Sequence, residues 1–355
     1  MDNSIFKIKY SYLNTSKLSC CHSAPHRHCS ILESSTKIHY ENIKVRCLSH
    51  HQVIYMDYFH FIANSGKRAV KRISPNPKPL NVLVLILAGI SNNQMNSSLP
   101  KTHKFIKQNF MVYKFNYVQP QRSFGNVAKA LRSDLDIWEV YKKKGFVTAF
   151  AQDRNSWPLD GFDFNLRDFY NFAQEGILIN DHCLGHRRTY DLVLEYASDF
   201  LKLRKSQPAF GVFHLETFRK QNLNAADEQF FDFLTDLYFH LKRDTVLFFF
   251  GDTNNENPFY YLLVPEDYLE EFPDVRYFLE VNSEARMVTF EDIYWTLRNF
   301  ADPYQKEHLH TKNAKSQSLF QGVPSNRLCS EAGVEPDSCF CKKQSLFSLI
   351  FQKSA

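Results

Sequence analysis

Short, nearly continuous apolar runs recur along the middle of the chain, separated by stretches of helical spacing. NVLVLILA (Asn81–Ala88), FVTAFA (Phe146–Ala151), AFGVFHLE (Ala209–Glu216), LFFFGD (Leu247–Asp252) and YYLLV (Tyr260–Val264) have the length and composition of strands buried on both faces. Between them, PKTHKFIKQ (Pro100–Gln108) places Pro in a first helical turn. NVAKALRSDLDIWEVYKKKG (Asn126–Gly145) is amphipathic and ends at a glycine suited to a C-cap. TYDLVLEYASDFLKLRK (Thr189–Lys205) puts Leu192, Val193, Tyr196 and Phe200 on one side, and ADEQFFDFLTDLYFHLKR (Ala226–Arg243) reads as one helix carrying Phe230, Phe231, Leu234, Leu237, Tyr238 and Leu241. A charged loop after Val264 leads to a helix around FEDIYWTLRNF (Phe290–Phe300). Strands alternating with such helices predict an α/β fold, a largely parallel sheet with helices on both faces.

The flanks differ. KIHYENIKVRC (Lys37–Cys47) and IYMDYFHFI (Ile54–Ile62) alternate as strands do, and KRISPNPKPLN (Lys71–Asn81), with three prolines, reads as a linker. The expected parts are a β-rich, cysteine-containing region over 1–75, the α/β domain over 76–310, and a cysteine-containing tail over 311–355.

Composition narrows the setting. The 355 residues, 44% hydrophobic and 23% charged with 33 Phe and 18 Tyr, suit a globular protein with an aromatic core. The net charge of +5 comes without a Lys/Arg block that would track phosphates, which argues against nucleic-acid binding. No run approaches the roughly 20 apolar residues of a membrane helix, so no span is expected. MDNSIFKIKYSYLN lacks the apolar core and cleavage site of a signal peptide, so the chain is either not exported or lacks a first segment.

The cysteines bear on that choice. Cys20, Cys21, Cys29 and Cys47 lie near one end, Cys329, Cys339 and Cys341 near the other, and Cys183 between. This placement favours disulfides in an oxidising compartment over free thiols. CCHSAPHRHC (Cys20–Cys29) is also dense enough to suggest zinc, but adjacent ligands without Cys-x-x-Cys spacing make a tetrahedral site awkward. Asn14 and Asn96 stand in glycosylation sequons, which matter only in an exported chain.

Candidate chemistry centres on LFFFGDTNNENPF, whose single acid, Asp252, stands at the carboxyl end of a buried strand, where α/β proteins gather ligands. Five stretches then share one pattern: NVLVLILAGIS…LPKTHKFI, IWEVYKKKGFVTAFAQD, CLGHRRTYDLVLEYASDFL, TVLFFFGDTNNE and RLCSEAGVEPDSCFC. In this order and spacing, from about Ile43 to Cys341, the chain resembles the uncharacterised animal family called domain of unknown function 229. The resemblance implies an alkaline-phosphatase/sulfatase-like fold. Such hydrolases hold one or two metal ions at the sheet's carboxyl edge and attack phosphate or sulfate esters with a Ser, Thr or modified Cys.

The same resemblance implies that this chain has lost most of the metal site. The Asp of the family's Asp-Ser-x-Ser-Arg falls on Ala88. The nucleophile in Asn-Thr-Phe-Pro-Asn falls on Ser123 of RSFGN, with no His placed by sequence to activate it. The His of Ser-His-Asp-Asp falls on Lys220 of RKQN. Asp252 survives from Ser-Asp-His-Gly, but the His position is Thr253, and the His near the last helix is Tyr294. His182 and His186 flank Cys183 in a stretch that suits a disulfide loop better than a ligand pair. Arg122, Arg187, Arg188 and Arg219 offer an anion pocket, against the commoner case of scattered surface arginines.

The sequence therefore supports a catalytically inactive sulfatase/phosphatase-like protein that binds or scaffolds an unknown ligand in the extracellular space or secretory lumen. No cofactor is expected. The alternatives are a metal-dependent or remodelled ester hydrolase using Ser123 and Asp252, for which the cofactor would be a divalent metal, and a decaying or partial gene copy.

Overall fold

The computed structural model describes residues 5–6, 18–32, 36–62, 79–119, 136–154, 159–174, 176, 183–202, 207–253, 256–302, 316–336 and 339. Near the amino terminus, β1 (Leu18–Ser23), β2 (Ser30–Ile31), β3 (Asn42–Ser49) and β4 (Gln52–His60) form an antiparallel sheet in the order β2-β1-β3-β4. Its alternation turns Ile43, Val45 and Cys47 inward against Cys20 and Leu32. Cys20 and Cys47, opposite one another in the β1–β3 register, form one disulfide, and Cys21–Cys29 forms a second.

The central sheet contains β5 (Asn81–Ala88), β6 (Val112–Lys114), β7 (Val147–Gln152), β8 (Phe164–Asn165), β9 (Ala209–Leu215), β10 (Thr245–Asp252) and β11 (Tyr260–Leu263), in the order β8-β7-β9-β5-β10-β11-β6. The four pairings from β8 to β10 are parallel and the last two are antiparallel. Every residue of β5, β7, β9, β10 and β11 is buried.

That burial has two sides, because successive residues face opposite ways. Odd positions such as Leu83, Leu85, Leu247 and Phe249 join a core with α1 (Asn92–Ser98), α2 (Pro100–Asn109), α4 (Arg167–Ala173), α5 (Thr189–Lys202), α6 (Asp227–Asp236) and α7 (Tyr238–Arg243). Even positions such as Val82, Val84, Phe248 and Phe250 join a second core with α3 (Ile137–Lys143), α8 (Glu266–Glu271), α9 (Pro273–Ala285) and α10 (Phe290–Ala301). The fold class is the expected α/β one, a largely parallel sheet with helices on both faces beside a small β-rich amino-terminal region.

Two elements differ from expectation. The single helix over 226–243 is broken at Leu237, which is fully buried, takes φ −94° and ψ 6°, and bonds through its N–H to the carbonyls of Phe233 and Thr235. The charged loop after Val264 is instead α8 and α9. Pro273 opens α9, acids occupy both first turns, and Leu269, Val275 and Leu279 pack onto the even face while the charges point out. Of the expected helix over 126–145, positions 126–135 lie outside the described residues, and 137–143 are helical.

The appended regions are tied in by polar contacts. Buried Asp57 on β4 accepts from Arg187 at 3.1 Å, joining the amino-terminal sheet to the segment before α5. After α10, residues 316–336 return along the domain. Arg327 grips the buried carboxylate of Asp292 with bonds of 2.7 and 3.2 Å, and Cys329–Cys339 closes the third disulfide. The three bridges use six of the eight cysteines. Cys183 belongs to none of them, and Cys341 lies outside the described residues.

At the carboxyl edge, the backbone of residues 89–91 crosses close over the end of β10. A Cβ added at Gly251 would run into the Ile90 carbonyl and approach the Phe259 ring to 2.9 Å. Gly251→Ala is therefore expected to cost about 2–3 kcal/mol of stability in chemical denaturation. A neutral result would show that this crossing is loose.

Candidate functional site

The strand register brings the sequence-nominated edge residues together. Asp252 is the direct partner of Ala88 between β10 and β5, and Leu215 of β9 pairs with Leu87, so Glu216 follows beside Ala88. On the next strand out, Gln152 pairs with His214 and Asp153 follows. Glu216, Ala88 and Asp252 thus stand in one row across the carboxyl edge of three adjacent strands, and Asp153 lies one register step earlier, level with Leu215, on the fourth. Thr253 is buried beside Asp252. Tyr294 lies on α10, 1% exposed in the aromatic core under the even face.

Asp252 does not face an open cradle. The guanidinium of Arg219 donates to its Oδ2 at 2.7 Å, while the carboxylate is 3% exposed. Arg219 Nε also lies 3.9 Å from Glu216 Oε1, so the cation sits between two acids of the edge. Arg219 ends a single turn of 3-10 helix, Thr217–Arg219, that follows β9. Gly89 makes room for it. Its φ of +81° suits glycine, and a Cβ there would touch the Arg219 Cα and Cγ, each at 3.3 Å.

Lys220, the position on which the family histidine falls, is exposed, and its neighbour Arg219 reaches Asp252. Both residues of the turn keep solvent exposure, but Arg219 extends its guanidinium to the buried Asp252. Ser91, the hydroxyl retained three residues after Ala88, caps α1. Its Oγ accepts from the Gln94 N–H at 3.4 Å while its own N–H donates to Gln94 Oε1 at 2.9 Å.

Asp153 was missed by the sequence reading, although the signal was present: an acid just past a buried strand, as at Asp252. Its carboxylate accepts the N–H groups of Glu216 at 2.6 Å and Thr217 at 3.0 Å, which fixes the start of the Arg219 turn. One buried acid, Asp153, therefore holds the start of the turn, and a second, Asp252, holds the side chain at its end. Among the described residues, no three His, Cys, Asp or Glu side chains gather to hold a metal ion. His214, fully buried on β9, has its pKa pushed down to about 3 by burial and by Arg219.

The other nominated residues do not converge here. Arg187 pairs with Asp57, Arg188 with Asp191 at 2.7 Å, and Arg219 with Asp252, so these three arginines serve different carboxylates. His186 is largely exposed, 3.9 Å from Asp57. Cys183 begins a two-residue strand paired with Arg187–Arg188. Asn96 lies half-buried on α1. Ser123, Arg122, His182 and Asn14 lie outside the described residues.

The family model described as "Protein of unknown function (DUF229)" matches residues 14–127 and 133–349. The chain belongs to DUF229. No curated protein matches it. Among solved structures, the chain is similar to the integral membrane protein lipooligosaccharide phosphoethanolamine transferase A from Neisseria meningitidis, at 10% identity and a TM-score of 0.44 over 65% of this chain. The match spans 56% of that protein's length. The soluble domain of the same transferase aligns at 11% identity and a TM-score of 0.39, over 63% of this chain and 88% of the domain.

The buried edge of this DUF229 chain has a measurable electrostatic signature. Burial pushes the Asp252 pKa up to about 6 against the opposing pull of Arg219, and burial does the same at Asp153 against its backbone hydrogen bonds. A carboxyl raised in the native state holds its proton better folded than unfolded. Its contribution is therefore greatest below about pH 4 and is lost as pH rises toward 6. Asp252→Asn should flatten the fall in stability between pH 4 and 7 by on the order of 2 kcal/mol, read from denaturation midpoints. A curve unchanged by the substitution would mean that Asp252 is ionised throughout.

Proposed function

We propose that this protein is a catalytically inactive relative of sulfatases and alkaline phosphatases, acting by binding or scaffolding in an oxidising compartment. The observation that carries this reading is the guanidinium of Arg219 on Asp252, the acid left at the presumed metal edge. A divalent cation in such a site would polarise the ester and lower the nucleophile's pKa. The residues present do not fit one. Ala88 offers a methyl group, Thr253 and Tyr294 replace imidazoles, and the surviving carboxylate already binds a cation of its own chain. No hydrolytic step through a metal is derived for this edge.

The three disulfides support an extracellular or luminal setting. Among the described residues, no helix is long and apolar enough to cross a membrane. The ligand in this reading is an extracellular or luminal one. The rival reading, a remodelled hydrolase using Ser123 and Asp252, needs Asp252 available to the reaction, and its engagement with Arg219 weighs against that.

Elemental analysis after dialysis is expected to find well under one zinc, calcium or magnesium per chain, and turnover of aryl phosphates and aryl sulfates is expected to stay at background. Ala88→Asp should remain inactive, because a polarising metal needs several ligands placed together. Clear wild-type turnover abolished by Ser123→Ala would overturn the inactive reading. Stoichiometric metal lost on deleting Cys20–Cys29 would instead favour an amino-terminal zinc site.

A further inference from the structure

Away from the Arg219–Asp252 edge, cationic side chains converge where the sheet becomes antiparallel. Tyr261 of β11 belongs to the odd-face core, opposite the even face beneath Tyr294, and pairs in register with Lys114 of β6. His103 and Lys107 are four residues apart on α2 and so share one side of that helix. Asn96 of α1 completes the group. The Tyr261 hydroxyl donates to Asn96 Oδ1 at 3.1 Å and lies 2.8 Å from His103 Nδ1. A hydroxyl has one proton, so with that proton on Asn96 its oxygen accepts from His103 Nδ1–H. Lys114 donates to the same Asn96 oxygen at 3.4 Å and lies 5.9 Å from the centre of the Tyr261 ring.

These contacts hold His103 and Lys114 but do not neutralise the cluster. Among the described residues, neither Lys107 nor Lys114 has a carboxylate within ion-pair distance, whereas Lys101 on the same helix reaches Glu228 at 2.5 Å. The cost is visible in the site's own chemistry. Burial, then Lys107 and Lys114, lowers the His103 pKa, while burial and Lys107 lower that of Lys114. An anion would relieve this repulsion, and a protonated His103, its Nδ1–H already on Tyr261, would present Nε2–H as a further donor.

We propose that His103 and Lys114, held by Asn96 and Tyr261, form together with Lys107 a binding site for a phosphate or sulfate group. The site is independent of the inactive reading, since it uses none of the edge residues. Its source is either a free ion or an ester group on a larger molecule, and the chemistry of recognition is the same.

Isothermal titration of the full chain with inorganic phosphate, inorganic sulfate and glucosamine 6-sulfate separates the sources. Saturable one-site binding is expected from at least one probe, weakened at least tenfold in the Lys107→Gln/Lys114→Gln double variant and unchanged in Lys142→Gln on α3. Saturation by the ions identifies a free-anion site, and saturation by the sugar ester alone identifies an ester site. In wild type, the His103 imidazole resonances should shift with the same saturation curve, a readout that does not require the double variant to fold. Absence of saturable binding with all three probes, binding unaffected by the double substitution, or a His103 signal that ignores a saturating probe would overturn the proposal.

Discussion

A carboxylate buried at the end of a strand must meet a positive charge or take a proton. At Asp252, 3% exposed, the charge comes from the chain itself. Much of the carboxyl edge follows from accommodating Arg219. Gly89 leaves space beside its stem, the 3-10 turn after β9 directs it inward, and Asp153 holds the backbone of that turn from the other side. Gly251 in turn lets the 89–91 crossing lie flat over β10. In the proposed reading, this tethered cation stands where a hydrolase would place a removable ion. A tethered guanidinium offers no open coordination position for an ester or an activated water.

The fold was legible because the strands are buried on both faces and so appear as unbroken apolar runs. Asn81–Ala88 and Thr245–Asp252 stand out for that reason alone. Helices whose burial is partial were harder to read. In α8 and α9, few apolar positions are scattered among many charges, and the capping prolines were the available signal. The apolar periodicity continues through the break at Leu237, so the pattern does not record it.

The candidate site was legible at the level of strand ends but not of side-chain partners. Ala88 and Asp252 were paired by motif counting, and the parallel register makes them neighbours. The motif position fell on Lys220, whereas it is the neighbouring Arg219 of the 3-10 turn that reaches Asp252, and sequence spacing does not resolve which side chain of a turn does so. The cluster around Tyr261 draws on α1, α2, β6 and β11 at once, so no linear motif announced it.

The double-mutant cycle of Arg219→Met and Asp252→Asn, followed by chemical denaturation at pH 7.5 in the presence of EDTA, addresses the tethered cation directly. A coupling of about 1–3 kcal/mol that EDTA leaves intact is predicted, since the attraction is between two side chains and involves no ion. Effects that add to within about 0.5 kcal/mol, or a wild-type stability that drops when EDTA is added, would contradict the proposed replacement of a metal by a guanidinium.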